Sequence, residues 1–346
     1  MPIYPIDGYA YEKTYPTSIP LAANNGASRF ELDTDCLLET LQFQLTGTLT
    51  NAGYTTEPVK RVEAVENLIR NLQIKGSSKF TGMPSDTFTD VDASYLAYQT
   101  KMLETTAPFR KDVGTANASY DFASTFNRYF GLKRHRGNYT DGFLETRNFS
   151  TFNVTANWRG VEAMIQPGTG VAGASVLSNV GITVHSIQFR GGRQLARKVY
   201  LKQSQRSFDL TNMSGLNVRF KDAPVLARMP KQTFKTTVGD TDYADPSDAV
   251  FTTNLQAQGA FLRTVQNGNF PWLEISATAL RAKMKTDYSV ESLPVGYLTQ
   301  EYSRFQTVVG DLDLRQARSL ENVVDLTTVG GSVNTLQITD EQVIGG

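Results

Sequence analysis

The chain alternates apolar and polar residues over long stretches, the pattern of β-strands with one buried face. In TLQFQLTGTLT (40–50) the apolar residues hold odd positions, and in FSTFNVTANW (149–158) they hold even ones. Leu68, Leu72 and Ile74 repeat this period more weakly. In GITVHSIQF (181–189) the apolar phase changes after Val184, which predicts a β-bulge near His185. These stretches predict half-buried antiparallel strands.

Helical patterns are scarce by comparison. The stretch DVDASYLAYQTKMLE (90–104) places Tyr95, Tyr98 and Met102 on one face behind Asp90, which is suited to cap a helix. The stretch ASTFNRYFG (123–131) suggests one or two further helical turns. No regular alternation of strand and helix patterns is visible, which argues against a doubly wound parallel sheet.

The second half of the chain contains short strand-like stretches separated by Gly, Asn, Asp and Pro. Strands at this spacing are typical of β-sandwiches and barrels. The stretches are GLNVRF, GAFLRTV, PWLEISATAL, PVGYLTQEYSRFQTV, LENVVDLTTV and NTLQIT.

Residues 1–30 differ from the rest because four tyrosines lie between prolines. Proline excludes a helix here, and the pattern is too irregular for a strand. A frayed terminus is one interpretation. Disordered tails are poor in aromatic residues, however, so we favour an extended arm docked on a surface.

Composition limits the function classes. The 346 residues include 34 Lys+Arg and 34 Asp+Glu, so no general attraction to nucleic acid or anionic lipid is expected. Cys36 is the single cysteine, which excludes an intrachain disulfide and favours a small buried apolar role. We see no signal-peptide pattern and no apolar run of eighteen residues, and we therefore expect synthesis in a host cytoplasm without a membrane span.

Three motifs resemble chemical sites, and each has a simpler interpretation. Gly168, Gly170 and Gly173 match GxGxxG, but the polar stretch that follows is too short for the helix of a dinucleotide site, so we expect a flexible loop. The basic cluster 133–136 could contact phosphate or lipid headgroups, although a solvated turn is the commoner meaning. A carboxylate pair such as Asp311 and Asp313 could serve a glycosidase, but nothing brings a particular pair together.

The two histidines, His135 and His185, have no metal-ligand spacing around them. We therefore predict no catalytic residue, no cofactor site and no metal site. An enzyme is not expected.

Two segments carry a family resemblance. The segments 66–80 and 88–103, which follow LTGTLT, resemble the first strands of double jelly-roll major capsid proteins of tailless icosahedral viruses. The segment 310–344 is similar to the close of the second jelly roll in that family. The matching positions in the first part are Leu68, Ile69, Leu72, Ile74, Gly76, Tyr95, Leu96 and Tyr98.

The resemblance implies an all-β fold with few short helices. Two antiparallel jelly-roll β-sandwiches would stand side by side, at 31–200 and 201–346, behind the N-terminal extended arm at 1–30. It also implies a structural protein of a virion, in a bacteriophage, whose homotrimers form pseudo-hexagonal capsomers of an icosahedral shell over an internal lipid membrane.

The expected partners follow from the same resemblance. They are two further copies at the loops 83–88 and 261–272, then neighbouring capsomers, and vertex or minor capsid proteins. The arm would contact a neighbouring capsomer or the membrane lipids, and no sequence-specific nucleic acid is expected. The alternative is a carbohydrate-binding or glycan-cleaving β-sandwich protein, which should expose an aromatic platform. Trp158 lies on an apolar face instead, and Trp272 beside Pro271 is ambiguous.

Overall fold

A computed structural model gives the fold of the chain, which divides into two compact units, Met1–Leu201 and Lys202–Gly346. The described residues are 9–22, 26–79, 86–104, 109–130, 143–170, 173–191, 200–209, 215–219, 228–239, 244–248, 262–266, 270–302, 312–313, 320–325 and 334–344.

The described residues of the first unit form antiparallel strands and one α-helix, α1 (Ala93–Glu104). Short 3₁₀ turns lie at Glu66–Leu68, Thr146–Asn148 and Val161–Ala163. The strands are β1 (Tyr9–Thr14), β2 (Ile19–Pro20), β3 (Ala27–Glu31), β4 (Leu37–Ala52), β5 (Val59–Lys60), β6 (Ile69–Ser78), β7 (Asp86–Val91), β8 (Arg110–Lys111), β9 (Ser119–Tyr129), β10 (Leu144–Glu145), β11 (Phe149–Trp158), β12 (Ile165–Gln166) and β13 (Ala174–Arg190).

Two sheets of this unit enclose its core. The first sheet has the order β1-β13-β4-β9-β8, with β2 added on β13 and β10 on β4. The second sheet contains β7, β6, β11 and β3 in that order. The alternating residues predicted from the sequence face this core: Leu41, Phe43, Leu45 and Leu49 from β4, and Phe152, Val154, Ala156 and Trp158 from β11, are all at most 1% exposed.

The bulge in β13 lies elsewhere than predicted. The register of β13 against β4 shifts between Ser178 and Gly181 and between Ile187 and Gln188, not at His185. The buried face continues through two polar residues, Ser186 and Gln188, both fully buried. When polar residues occupy the core face, the apolar pattern no longer shows which residues of the strand point inward. The pattern therefore placed the β-bulge too early in the strand.

Helix α1 forms as predicted, but its cap is different. The carboxylate of Asp92 accepts a hydrogen bond of 2.7 Å from the backbone N–H of Tyr95, which is the N-cap geometry. Asp90 lies in β7, where its carboxylate accepts hydrogen bonds from the side chains of Asn71 and Gln73. The predicted Asp90 cap is therefore wrong by two residues, because β7 continues to Val91.

The helical turns predicted at 123–131 are also wrong, because these residues continue strand β9. Eleven consecutive residue pairs join β9 to β4. On the buried face of β9, Ser124 lies between Phe122 and Phe126, and Arg128 follows Phe126; both polar residues are fully buried. Two polar residues on the core face break the apolar alternation that marks a strand.

In the second unit, too, the residues that the structure describes combine antiparallel sheets with one helix, α2 (Ala277–Tyr288). Strand β14 (Tyr200–Asp209) begins at the end of the first unit. The further strands are β15 (Gly215–Arg219), β16 (Arg228–Val238), β17 (Asp245–Pro246), β18 (Leu262–Gln266), β19 (Phe270–Ile275), β20 (Tyr297–Glu301), β21 (Leu312–Asp313), β22 (Leu320–Asp325) and β23 (Asn334–Ile344).

In this unit β16 pairs with β17, β20, β21 and β23, and β23 is followed by β14. A four-stranded sheet has the order β15-β22-β18-β19. Helix α2 replaces the end of the predicted strand PWLEISATAL, because the hydroxyl of Ser276 caps its N-terminus by accepting from the N–H of Ala279. A serine before an alanine-rich run is a readable helix start.

Candidate assembly surfaces

The N-terminal segment is part of the first unit. Strand β1 pairs with the edge of β13 through six residues, from Tyr9 opposite Arg190 to Thr14 opposite His185. Strand β3 then pairs with β11 in the second sheet. The prediction that this segment is too irregular for a strand is therefore wrong. Pro16 interrupts the chain between β1 and β2, Pro20 ends β2, and the edge position of β1 requires few inward-facing apolar residues.

A cluster of charged and aromatic residues, the Asp33 clasp, fixes this segment in place. The Asp33 carboxylate lies 2.8 Å from Lys13 Nζ and 2.7 Å from an Arg190 guanidinium nitrogen. The Asp33 backbone N–H donates to the Tyr15 hydroxyl at 3.2 Å, and the Arg190 guanidinium lies 4.9 Å above the Tyr11 ring. One carboxylate thus joins β1, the turn after β3 and the end of β13.

Two buried side chains anchor the same segment. Tyr15 is 6% exposed and meets Phe30 edge to face at 5.2 Å, and Ile19 is 1% exposed. Burial raises the pKa of the Tyr15 hydroxyl to about 12, so the ring stays neutral. Tyr9 and Tyr11 remain exposed at the sheet edge. Among the described residues of the predicted arm, these two rings are exposed to a neighbouring surface, and the Tyr11 ring also lies against Arg190.

The opposite edge of the first sheet, at β8, carries a second surface. Three apolar side chains are largely exposed there or in the adjoining 59–62 segment: Val59, Val62 and Phe109. Ion pairs connect these segments, with Lys60 2.9 Å and Arg110 3.5 Å from the Asp112 carboxylate. We call this surface the β8 flank.

A buried carboxylate lies beneath the β8 flank. Ser124 donates to Glu66 Oε1 at 2.6 Å, and Arg110 lies 3.4 Å from Glu66 Oε2. Within the described part of the chain, that second oxygen makes no hydrogen bond. Burial raises the pKa of Glu66, and the Arg110 charge and the Ser124 hydrogen bond only partly oppose this effect.

The second unit buries charged groups of its own. The Asp340 carboxylate accepts from Gln232 and from Arg206, each at 2.6 Å, and burial raises its pKa. Lys231 lies 3.2 Å from Glu341 in a mostly buried ion pair. These groups are enclosed within the unit and offer no open site.

The glycine motif is a packing feature. The Thr169 carbonyl accepts hydrogen bonds from the N–H groups of Thr55 and Thr56 at 2.8 and 3.2 Å. A Cβ at Gly168 would stand 2.0 Å from the Thr56 carbonyl oxygen, and Gly170 has φ +148°. The glycines allow two backbones to approach closely, so the expected flexible loop is a tightly held one.

The other candidate residues from the sequence are either buried or lie outside the described part of the chain. Cys36 is buried as predicted, and burial raises its thiol pKa to about 11. Trp158 is fully buried, and its Nε1–H donates to the Ser28 hydroxyl at 3.3 Å, so it is not an exposed aromatic platform. The basic cluster 133–136, with His135, and Asp311 lie outside the described residues, as do the side chains of Asp313 and Trp272.

The two segments proposed for contact between copies are largely strands. Phe88 lies in β7 and is 1% exposed, and residues 80–85 lie outside the described part. Strands β18 and β19 pair with each other and take up most of 261–272. The description of these segments as loops is therefore wrong where they are described, because 86–88 belong to β7, and 262–266 and 270–272 belong to β18 and β19.

The described residues contain no group of three or more His, Cys, Asp and Glu side chains placed to hold a metal ion. No helix among them has the length and apolar character needed to cross a bilayer.

The residues of the Asp33 clasp and the β8 flank were not identified from the sequence. Asp33 and Arg190 are separated by 157 positions, and Glu66 and Ser124 by 58. Only strand pairing brings them together. The one readable signal was the tyrosine content of the first 15 residues.

In its described residues the chain has two units of antiparallel β-sheets with few helices. This agrees with the all-β class that the sequence predicts. No protein-family model and no curated protein matches the chain. Solved structures do match, and several of them are viral major capsid proteins. The major capsid protein of STIV, the Sulfolobus turreted icosahedral virus, superposes with a TM-score of 0.67 at 12% identity, covering 97% of both chains.

Two further structures agree with this match. The major capsid protein of bacteriophage PM2 gives a TM-score of 0.57 at 11% identity over 98% of both chains. The capsid of the virus PBCV-1 gives 0.61 at 8% identity over 99% of this chain and 96% of the other. The chain therefore has the double jelly-roll fold of these proteins, which confirms the predicted fold.

Proposed function

We propose that this chain is the major capsid protein of a tailless icosahedral virus, located in the virion. One observation carries the proposal: the match to capsid proteins extends over at least 97% of this chain in each of the three comparisons. A shared sandwich alone would carry little weight, since sandwiches host many functions. A whole-length match to a two-unit arrangement is more specific.

The chain's chemistry supports a structural role without catalysis. Three of the charged groups in the described core, Glu66, Arg128 and Asp340, are buried and hydrogen-bonded within their units. A net charge of zero lets many copies pack without mutual repulsion. We propose jelly rolls at 31–200 and 201–346, homotrimers that form pseudo-hexagonal capsomers, and contacts of these with one another and with vertex or minor capsid proteins.

The N-terminal segment has a more specific proposed role. Tyr9 and Tyr11 are exposed at the edge of the first sheet, while Tyr15 and Ile19 anchor the segment. Tyrosine combines apolar area with a polar tip, which suits a neighbouring capsomer or the headgroups of an internal membrane. The matched viruses include a bacteriophage and a Sulfolobus virus, so the bacteriophage host stays a prediction.

Mass spectrometry of purified particles tests this function. A shell protein should be the most abundant polypeptide of the particle, in hundreds of copies or more relative to the genome. A few copies per particle, or absence from particles, would contradict the proposal. The rival lectin or glycosidase function would instead give saturable binding or cleavage in a glycan screen.

A further inference from the structure

The outer face of the first sheet in the first unit has an unusual chemical character. Along residues 42–50 of β4, the side chains that point away from the core are hydroxyls and amides: Gln42, Gln44, Thr46, Thr48 and Thr50. The alternate residues of this strand fill the core. The neighbouring strands continue the pattern, with Thr183 of β13 and Thr125 of β9 on either side of Gln44.

Fixed charge is almost absent from this face. Among residues 42–50 of β4 and their cross-strand partners on β9 and β13, Asp121 is the single Asp, Glu, Lys or Arg on the outer side. Its carboxylate is already engaged, because it accepts from the Thr48 hydroxyl at 2.9 Å and lies 3.8 Å from Lys111. His185, opposite Gln42, adds one imidazole to the outer side of this stretch, and no Phe, Tyr or Trp lies there.

The second sheet of the same unit provides the contrast. Its outer face carries Arg29 and Glu31 on β3, Lys75 on β6 and Asp90 on β7. Charged residues are the usual means by which an exposed sheet face stays hydrated and separate from its neighbours. The outer faces of the two sheets therefore differ in the number of charged side chains they carry, and the face with fewer charges can be covered by another surface more easily.

We propose that this face, the hydroxyl-amide face, whose single carboxylate is that of Asp121, is a contact surface for a second copy of this chain. The inference rests on the proposed function, which supplies many identical copies. Hydroxyl and amide groups both donate and accept hydrogen bonds, so an identical chain offers matching groups, directly or through ordered water. The absence of fixed charge removes the repulsion that identical charged faces would meet.

Size and chemistry also argue against other occupants. Over nine residues of three strands the face covers about 400 Å², roughly half of the ~800 Å² that one partner gives to a standard interface. It suits one of several contacts in a lattice. Anionic lipid or nucleic acid would require Lys and Arg, and glycan binding would be helped by aromatic rings.

Charge substitutions at Gln44 test the face, since this side chain is exposed and its replacement leaves the core intact. We expect Gln44→Lys and Gln44→Glu each to reduce the yield of sedimenting particles at least tenfold, with an unchanged melting temperature of the free protein. Loss with both signs of charge indicates a face that must be uncharged. The matched control is Gln73→Lys on the charged outer face of the second sheet, where assembly should be normal.

Thiol labelling gives an independent readout. Cys36 is buried, so Gln44→Cys adds one accessible thiol to a low background. We expect rapid maleimide labelling of the free protein and at least tenfold slower labelling in particles. Equal rates in both states, or crosslinks from this position to a different protein, would overturn the inference.

The outcomes separate this inference from the proposed function. Wild-type particles together with normally assembling Gln44→Lys and Gln44→Glu variants would overturn the contact face alone. Absence of the chain from wild-type particles would overturn both.

Discussion

The guanidinium of Arg128 donates a hydrogen bond of 2.6 Å to the backbone carbonyl of Leu201, the last residue of the first unit. Arg128 is fully buried, and it also donates to the Thr89 hydroxyl at 2.6 Å and to the Tyr129 carbonyl. Its guanidinium lies 4.6 Å above the Phe130 ring. One buried cation thereby joins β7, β9 and the start of β14.

Replacing this cation should destabilise the first unit strongly. Arg128→Met leaves several buried oxygens without their donor, and each such loss costs about 1–3 kcal/mol. We expect the free energy of unfolding to fall by about 3 kcal/mol or more, measured by urea denaturation. Hydrogen exchange should quicken in peptides covering 119–130 and 200–209. The exposed Arg29→Met is the control, with a change within about 0.5 kcal/mol, and an equally small effect at Arg128 would refute its structural role.

The Asp33 clasp predicts that the N-terminal strands stabilise the fold. Deleting residues 2–20 removes β1 and β2 and the buried side chains of Tyr15 and Ile19, each worth about 1.5–3 kcal/mol. We expect calorimetry to show a fall in melting temperature on the order of 5–10 °C for the first unit. Deletion of residues 2–8 alone, which keeps β1, is the control. A wild-type melting temperature after the longer deletion would mean that the segment is only an appended arm.

Glu66 predicts a stability that changes with pH in a defined direction. Its pKa in the folded protein is raised, so the folded state binds the proton more tightly than the unfolded state. The free energy of unfolding should therefore rise as the pH falls through the raised pKa towards the unfolded value of about 4.3. Above the raised pKa, the buried charge costs stability.

The variant Glu66→Gln isolates this contribution. It should melt at a higher temperature than wild type at pH 7.5, with a smaller gain on acidification. The melting temperature of the variant should still rise somewhat on acidification, because the pKa of Asp340 is also raised. Thermal melts from pH 7.5 to 4.5 provide the measurement, with the exposed Glu12→Gln as control. A lower melting temperature at pH 7.5 would show that the Arg110 contact outweighs the burial cost.

The glycine motif predicts a packing defect on substitution. A methyl group at Gly168 would collide with the Thr56 backbone, and such overpacking costs about 1–3 kcal/mol. Denaturant unfolding of Gly168→Ala should show this loss, while the exposed neighbour Thr169→Ala should stay within about 0.5 kcal/mol. A neutral Gly168→Ala variant that loses affinity for a dinucleotide would restore the cofactor interpretation.

The sequence predicted the fold where burial alone sets the residue pattern. Strands β4 and β11 each have one fully apolar face, so their period of two was clear. It failed at β9, where Ser124 and Arg128 occupy the core face because they serve Glu66 and Leu201. It failed at β1 as well, because an edge strand held by ion pairs needs little apolar alternation.

The candidate surfaces could not be predicted from the sequence, for a related reason. The hydroxyl-amide face is defined by which side of three strands lacks charge, and this depends on the register of β4 against β9 and β13. The Asp33 clasp depends on a pair 157 positions apart. Neither the strand register nor the contact between Asp33 and Arg190 can be read from the local sequence pattern.

Electron cryomicroscopy of particles that contain this chain tests the central claim most directly. The account predicts a closed icosahedral shell built mainly from this chain, with two jelly rolls per copy and three copies in each pseudo-hexagonal capsomer. A shell made of another protein, with this chain absent from the capsomers or present only as an isolated monomer, would contradict it.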